Sequence, residues 1–285
     1  MGATIGACFA GLIVLDSAMP VRINKLKRSL QEGKTVFGSS VRLPEPGLVE
    51  VLGHAGFDYV LIDGEHGSMG WAEMERMILA AYAVDTTPIV RVLKNEPELV
   101  MRALDLGAQG ILVPHVRTTA DAQQFKDGAL YPPDGRRGVG VGRGAMWGTI
   151  SFDEYFRTIN AEVVLMAMIE DAEAIENIDE IAAVGLDVLI VGTHDLAASY
   201  GVLGQVSHPR VVAAGERVIA AAKRCHVAAG YPARNIDDAA EAMRWGYRSI
   251  GYGSAESFVF QRGREYLQAV AGLTEISSTP RIPQI

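Results

Sequence analysis

Cysteine, lysine and long apolar runs are all scarce in this sequence, and each shortage excludes something. Only Cys8 and Cys225 occur in 285 residues, so there is no disulfide framework and no cysteine-rich zinc site. A cytoplasmic setting is the simplest expectation. The apolar run at 2–14 (GATIGACFAGLIV) has no Lys or Arg ahead of it and is soon interrupted by Asp16. It is too short to span a bilayer and lacks the basic flank of a secretory signal. Residues 1–20 are therefore expected to be an apolar tail outside the fold, and 21–285 a single domain. Positive charge is also short: 26 Lys and Arg stand against 34 Asp and Glu, a net charge of −8. No basic stripe alternates with aromatics, so neither composition nor pattern points to a nucleic-acid partner.

The lysines are Lys25, Lys27, Lys34, Lys94, Lys126 and Lys223. None lies within an apolar strand, where desolvation could lower its pKa for Schiff-base chemistry. The glycine-rich stretch 138–144 does not follow a strand and open a helix. Phosphate-loop and dinucleotide fingerprints are thus missing.

What the sequence does contain is an alternation. Short apolar runs suited to buried strands lie at 35–40, 59–62, 88–92, 109–113, 162–169, 187–192, 226–230 and 248–252. Amphipathic helical stretches separate them, among them 71–82, 97–106, 173–183, 209–224 and 236–245. Strands buried on both faces read as continuous apolar runs. Eight of them alternating with helices predict an α/β fold, a closed (β/α)8 TIM barrel, with an open doubly wound sheet as the structural rival. Residues 131–150, rich in Gly, Pro and Arg, break the rhythm and are expected to form a functional loop after the fourth strand. The stretch 254–272 reads as a terminal amphipathic helix suited to an oligomer contact.

Polar residues gather where the apolar runs end. The second run ends in Asp63-Gly64-Glu65-His66, the third carries Arg91 and the fourth meets His115. The fifth ends in Glu170-Asp171 and the sixth in Gly192-Thr193-His194-Asp195. In a barrel these ends converge on one site. Glu170 and Asp195 suit a hard divalent cation such as Mg²⁺ or Mn²⁺. Equally, Asp171 and Asp195 each precede a helical stretch and could serve as caps. Asp63 beside His66 makes a candidate general base, the carboxylate fixing the imidazole tautomer; the alternative is a histidine held by loop hydrogen bonds. Arg91 at the end of an apolar strand needs an anion, either a substrate carboxylate or enolate or a neighbouring Asp. His54, within a helical stretch, is expected to be structural.

Six segments carry a resemblance to a known family. They are AGFDYVLIDGEHG (55–67), PIVRV (88–92), DLGAQGILVPHVRT (105–118), YPPDGRRGVG (131–140), MIEDAEAIENIDEIAA (168–183) and VGTHDLAASYGVLGQVSHPRV (191–211). Together they resemble the HpcH/HpaI aldolases, metal-dependent 2-oxo-acid aldolases, over about residues 33–262. The resemblance implies cleavage of a 4-hydroxy-2-oxo acid to pyruvate and an aldehyde, in sugar-acid or aromatic catabolism. It implies that His66 is the base with Asp63 as its partner, that Arg91 contacts the oxo group, and that Glu170 and Asp195 hold Mg²⁺, Mn²⁺ or Co²⁺. Backbone amides around Gly192 and His194 would hold the pyruvate carboxylate. It also implies a homohexamer, with the terminal helix packed on a neighbouring subunit. Three departures bear on substrate choice. Met168 stands where the family often has Gln, Thr193-His194 where it often has Pro-Ala or Pro-Ser, and Ser40 with Arg42 near a position often held by Trp. Arg42, His115 and Arg234 are candidates to read a distal carboxylate. Two rivals remain: a CoA-thioester lyase of the citrate-lyase-β type, with the Arg-rich loop 136–143 as its CoA groove, and a barrel that binds an oxo acid without turnover.

Overall fold

The structure is a computed structural model that describes residues 21–140 and 142–274; the expectation for residues 1–20 lies outside them. Eight parallel strands close into a barrel in chain order. They are β1 (Val36–Val41), β2 (Tyr59–Asp63), β3 (Thr87–Arg91) and β4 (Gly110–Val113). β5 (Val164–Ile169), β6 (Val188–Val191), β7 (Ala228–Ala233) and β8 (Ser249–Ser254) complete it. The (β/α)8 expectation holds, and the open sheet is excluded by the β1–β8 pairing.

Alternation along each strand separates two apolar layers. Tyr59, Ile89, Leu112, Val164, Met166, Met168 and Val188 pack inside the barrel. Val60, Ile62, Val90, Ile111, Leu165, Ala167 and Leu189 belong to the outer layer, against the helices. Successive side chains of a strand face opposite ways, so β5 (VLMAMI) is buried at every position and shows no polar alternation in sequence.

One end of the barrel is sealed. The helix Lys25–Gln31 places Leu26 and Leu30 in the inner cluster with Val36, Val164 and Val188, the opening residues of their strands. Asn24, fully buried, caps this helix by accepting from the Lys27 N–H. Its amide also donates to the carbonyls of Gln109 at 2.7 Å and Glu162 at 2.9 Å. Only the mouth at the C-terminal strand ends stays open, which is where barrels of this kind carry their chemistry.

Three local expectations need correction. The seventh strand runs over 228–233, not 226–230. Pro232 lacks an N–H and reads as a strand breaker. The β6–β7 ladder ends at the Ile190–Gly230 pair, so β6 loses no bond at Pro232. The helical stretch 173–183 is two short helices, Ala172–Glu176 and Ile178–Ala183, divided at Asn177. The loop 131–150 follows the helix Thr119–Ala129 and leads back to the sealed end. There Arg137 pairs with Asp105 at 2.6 Å, Arg143 with Glu75 and Arg136 with Asp127 at 3.4 Å. Among its described residues, none lines the mouth.

Candidate active site

The open mouth holds a cavity of about 480 Å³. Ser40, Arg42, His66, Arg91, Met168, Gly192, His194 and Asp195 all line it. Their positions run from residue 40 to residue 195, and the barrel brings them together because each sits at or just past a strand end.

Strand register explains the first group. Asp63 lies directly across from Arg91 in the β2–β3 ladder. Asp63 is fully buried and its carboxylate takes both ends of the guanidinium fork, at 2.8 Å from Nε and 2.5 Å from Nη2. Burial alone would raise the Asp63 pKa. The bonds and charge of Arg91, with the N–H groups of Glu65 and His66, hold it below the ordinary value. Removing either partner would strand a buried charge, at a cost of about 3–5 kcal/mol.

This geometry corrects the expected pairing of Asp63 with the His66 ring. Asp63 accepts from the Glu65 and His66 backbone N–H groups, both at 3.1 Å, and from the Arg91 fork. A buried guanidinium outcompetes a half-exposed imidazole for the buried carboxylate. The acid beside the ring is Glu65, whose Oε2 lies 3.8 Å from His66 Nε2 and 3.1 Å from Arg91 Nη1. Glu65 was visible in sequence only as part of the polar tetrapeptide after β2.

The second group faces it from β5 and β6. Glu170 is 3% exposed. Its Oε1 accepts the His115 backbone N–H at 2.8 Å. Burial pushes the Glu170 pKa up to about 7; the His115 N–H and ring oppose this, and the charges of Asp195 and Glu65 add to it. Asp195 lies in the first turn of the helix Thr193–Ser199, exposed to the mouth. The capping alternative fails for Asp171, whose side chain makes no cap bond and instead meets His115 Nδ1 at 3.0 Å and Arg117 at 3.1 Å. The His115 ring is thus taken up by Asp171 and lies 3.5 Å from Glu170 Oε1, and it does not line the mouth, contrary to expectation. Its positive φ of 53° aims the N–H at the carboxylate.

Among the described residues, no three His, Cys, Asp or Glu side chains gather into a metal-binding group. Two carboxylates do fit a hard divalent cation whose other ligands are water and substrate oxygens. Glu170 argues for the fit: a buried acid whose ionisation neighbouring carboxylates oppose is one that a cation would stabilise.

Gly192 leaves room for this acid. A Cβ there would lie 2.5 Å from Glu170 Oε2, 2.6 Å from Glu170 Cβ and 3.0 Å from Met168 Cε. Gly192→Ala should displace Glu170 and destabilise the chain by about 1–3 kcal/mol. Urea unfolding reads this, and an unchanged midpoint would mean that Glu170 moves aside freely.

The β7, β8 and β1 side of the mouth is lined by small and hydroxylic residues, including Gly38, Ser40, Ser249, Gly251, Gly253 and Ser254. Ser40 Oγ donates to the Gly253 carbonyl at 3.3 Å. Arg234 lines the mouth too, but its fork is closed on Asp238 through Nε at 3.0 Å and Nη2 at 2.8 Å. It locks the end of β7 to the helix Ile236–Trp245, which removes it as a free anion reader.

Residues 38–260 match the family model described as HpcH/HpaI aldolase/citrate lyase. A hydroxypyruvate/pyruvate aldolase of Roseobacter denitrificans is 43% identical over 198 residues, covering 68% of this chain and 77% of that protein. A 5-keto-4-deoxy-D-glucarate aldolase of Shigella boydii is 36% identical, over 83% of this chain and 92% of that one. A solved HpcH/HpaI aldolase/citrate lyase family protein from Burkholderia cenocepacia superimposes with a TM-score of 0.82 at 36% identity, covering 87% of this chain and 99% of the other. With a family model spanning the barrel and relatives at this level of identity, the chain belongs to the HpcH/HpaI aldolase/citrate lyase family.

Proposed function

We propose that the chain is a divalent-metal-dependent aldolase that cleaves, or in reverse forms, 4-hydroxy-2-oxo acids, with pyruvate and an aldehyde as products. Glu170 and Asp195 would hold the cation, which when bound supplies Lewis-acid stabilisation of the charge developing on the oxo oxygen. Asp63 holds Arg91 in a fixed orientation at the mouth, where its guanidinium would donate to that same oxygen. Preorganised donors of this kind contribute a few kcal/mol each. His66 takes the proton of the C4 hydroxyl. As the C3–C4 bond breaks, its electron pair passes into the enolate of pyruvate and C4 leaves as the aldehyde carbonyl. Protonation at C3 then gives pyruvate. The backbone around Gly192 and His194 would receive the pyruvate carboxylate.

The observation that carries this reading is the convergence of a buried acid poised near neutrality, Glu170, with a guanidinium locked by Asp63 in one mouth. It is tested by offering a panel of 4-hydroxy-2-oxo acids and detecting pyruvate with a coupled assay. Pyruvate release is expected from at least one. Borohydride added with pyruvate should leave the enzyme active; a trapped lysine adduct would place it in the other aldolase class.

The rival CoA-thioester lyase loses its main support, because the Arg-rich loop is far from the mouth and its guanidiniums are paired. A non-catalytic oxo-acid binder would hold oxalate and turn over no aldehyde. Residues 21–285 are read as one catalytic unit in the cytoplasm; among the described residues no helix is long and apolar enough to cross a membrane. The terminal helix Ala255–Thr274 supports a reading of assembly. Its Val259, Phe260, Tyr266 and Leu267 are 64–68% exposed, while an apolar groove of about 400 Å³ lined by Phe37, Phe57, Met243 and Ile250 stays open beside β1 and β8. Both features favour a homo-oligomer, taken to be a hexamer, in which these helices pack on neighbours.

A further inference from the structure

We infer that Arg42 selects aldehydes that carry a carboxylate of their own, so that the substrates are short 4-hydroxy-2-oxo diacids; this rests on the aldolase reading above. Three cationic side chains were open to that role from sequence, and their contacts separate them. His115 is bound to Asp171 and does not line the mouth. Arg234 is closed on Asp238. Arg42 alone of the three keeps a free guanidinium at the mouth. Among the described residues its one ionic contact is Asp63 Oδ2 at 3.5 Å from Nε, with the side chain 52% exposed. That carboxylate is already bound at both oxygens by Arg91, so it neutralises Arg42 only in part.

The backbone that carries Arg42 is fixed. It follows β1 directly, and its carbonyl accepts the Ser68 N–H at 3.1 Å, tying it to the loop after β2. Arg42 follows β1 and Arg91 ends β3, on either side of the β2 strand that ends in Asp63, and β1 pairs with β8, so Arg42 borders the part of the mouth lined by Ser40, Gly253, Ser254 and Ser257. A substrate whose oxo end meets Arg91 would run its aldehyde half into this space. A carboxylate a few bonds beyond C4 would then meet the Arg42 fork, which matches carboxylate geometry. A neutral aldehyde would leave that fork hydrated.

The test runs the reaction in the condensing direction with pyruvate and two acceptors, succinic semialdehyde and butanal. The wild type should favour the semialdehyde in kcat/KM. Arg42→Gln should lower that preference by about tenfold or more, largely through KM, and Arg42→Lys, which keeps the charge, should retain most of it. A preference that survives in Arg42→Gln, or an equal fall for both acceptors in that variant, would overturn the inference; the second result would assign Arg42 to the Asp63–Arg91 network instead. If the wild type condenses pyruvate with neither acceptor nor any other aldehyde, the aldolase reading itself fails and takes this inference with it.

Discussion

Stripping divalent cations with excess chelator should take carbon–carbon cleavage to background, and Mg²⁺, Mn²⁺ or Co²⁺ should restore it. The expectation comes from the surroundings of Glu170. This acid is buried, its pKa is pushed from 4.5 to about 7, and the charges of Asp195 and Glu65 oppose its ionisation. A proton and a cation therefore compete for the same oxygens. Below about pH 7 the proton wins more often, and the apparent cation affinity should fall by up to about tenfold per pH unit. Glu170→Gln keeps the shape and the contact with the His115 N–H but has no charge and no proton to exchange. It should lose more cation affinity than the roughly 10–100-fold that loss of a supporting residue costs, and lose the pH slope as well. The same shift predicts a stability effect. The folded pKa lies above the unfolded one, so the contribution of this group is complete below about pH 4.5 and is lost as pH rises through about 7. Chemical unfolding of cation-free protein should show that loss, and saturating cation should remove it. Titration calorimetry settles the matter: affinity independent of pH across this range, or full turnover in excess chelator, would defeat the assignment.

The barrel was legible because its strands are buried on both faces, and β5 and β6 are written as unbroken apolar runs. The convergence of polar residues was legible for the same reason, since a charged residue after such a run marks a strand end. Partner choice within the mouth was not. Asp63 and His66 are three apart in sequence, which suggests a pair. Asp63 and Arg91 are twenty-eight apart, and only the β2–β3 register puts them opposite each other. Likewise nothing in sequence distinguishes Arg42 from Arg234, because the lock on Arg234 comes from Asp238 one helical turn onward. The loop 131–150 misled for another reason. Its Gly, Pro and Arg content is shared by catalytic loops and by connections that wrap a helix, and only the fold decides to which end of the barrel it returns.

His66→Ala should lower kcat by about 10²–10⁴-fold, the usual contribution of a positioned general base. The substitution is clean because of what His66 does not hold. Asp63 is bound to its backbone N–H, which alanine keeps, so the Asp63–Arg91 pair should survive. The His66 side chain is 58% exposed and among the described residues its ionic neighbour is Glu65, so unfolding stability should change by less than about 0.5 kcal/mol. Cation affinity should be unaltered, since Glu170 and Asp195 are untouched. Exposure also leaves an opening for added imidazole, which should recover part of the rate in a concentration-dependent way. Turnover within threefold of wild type would remove His66 from the chemistry. The proton of the C4 hydroxyl would then have to leave through solvent at the mouth.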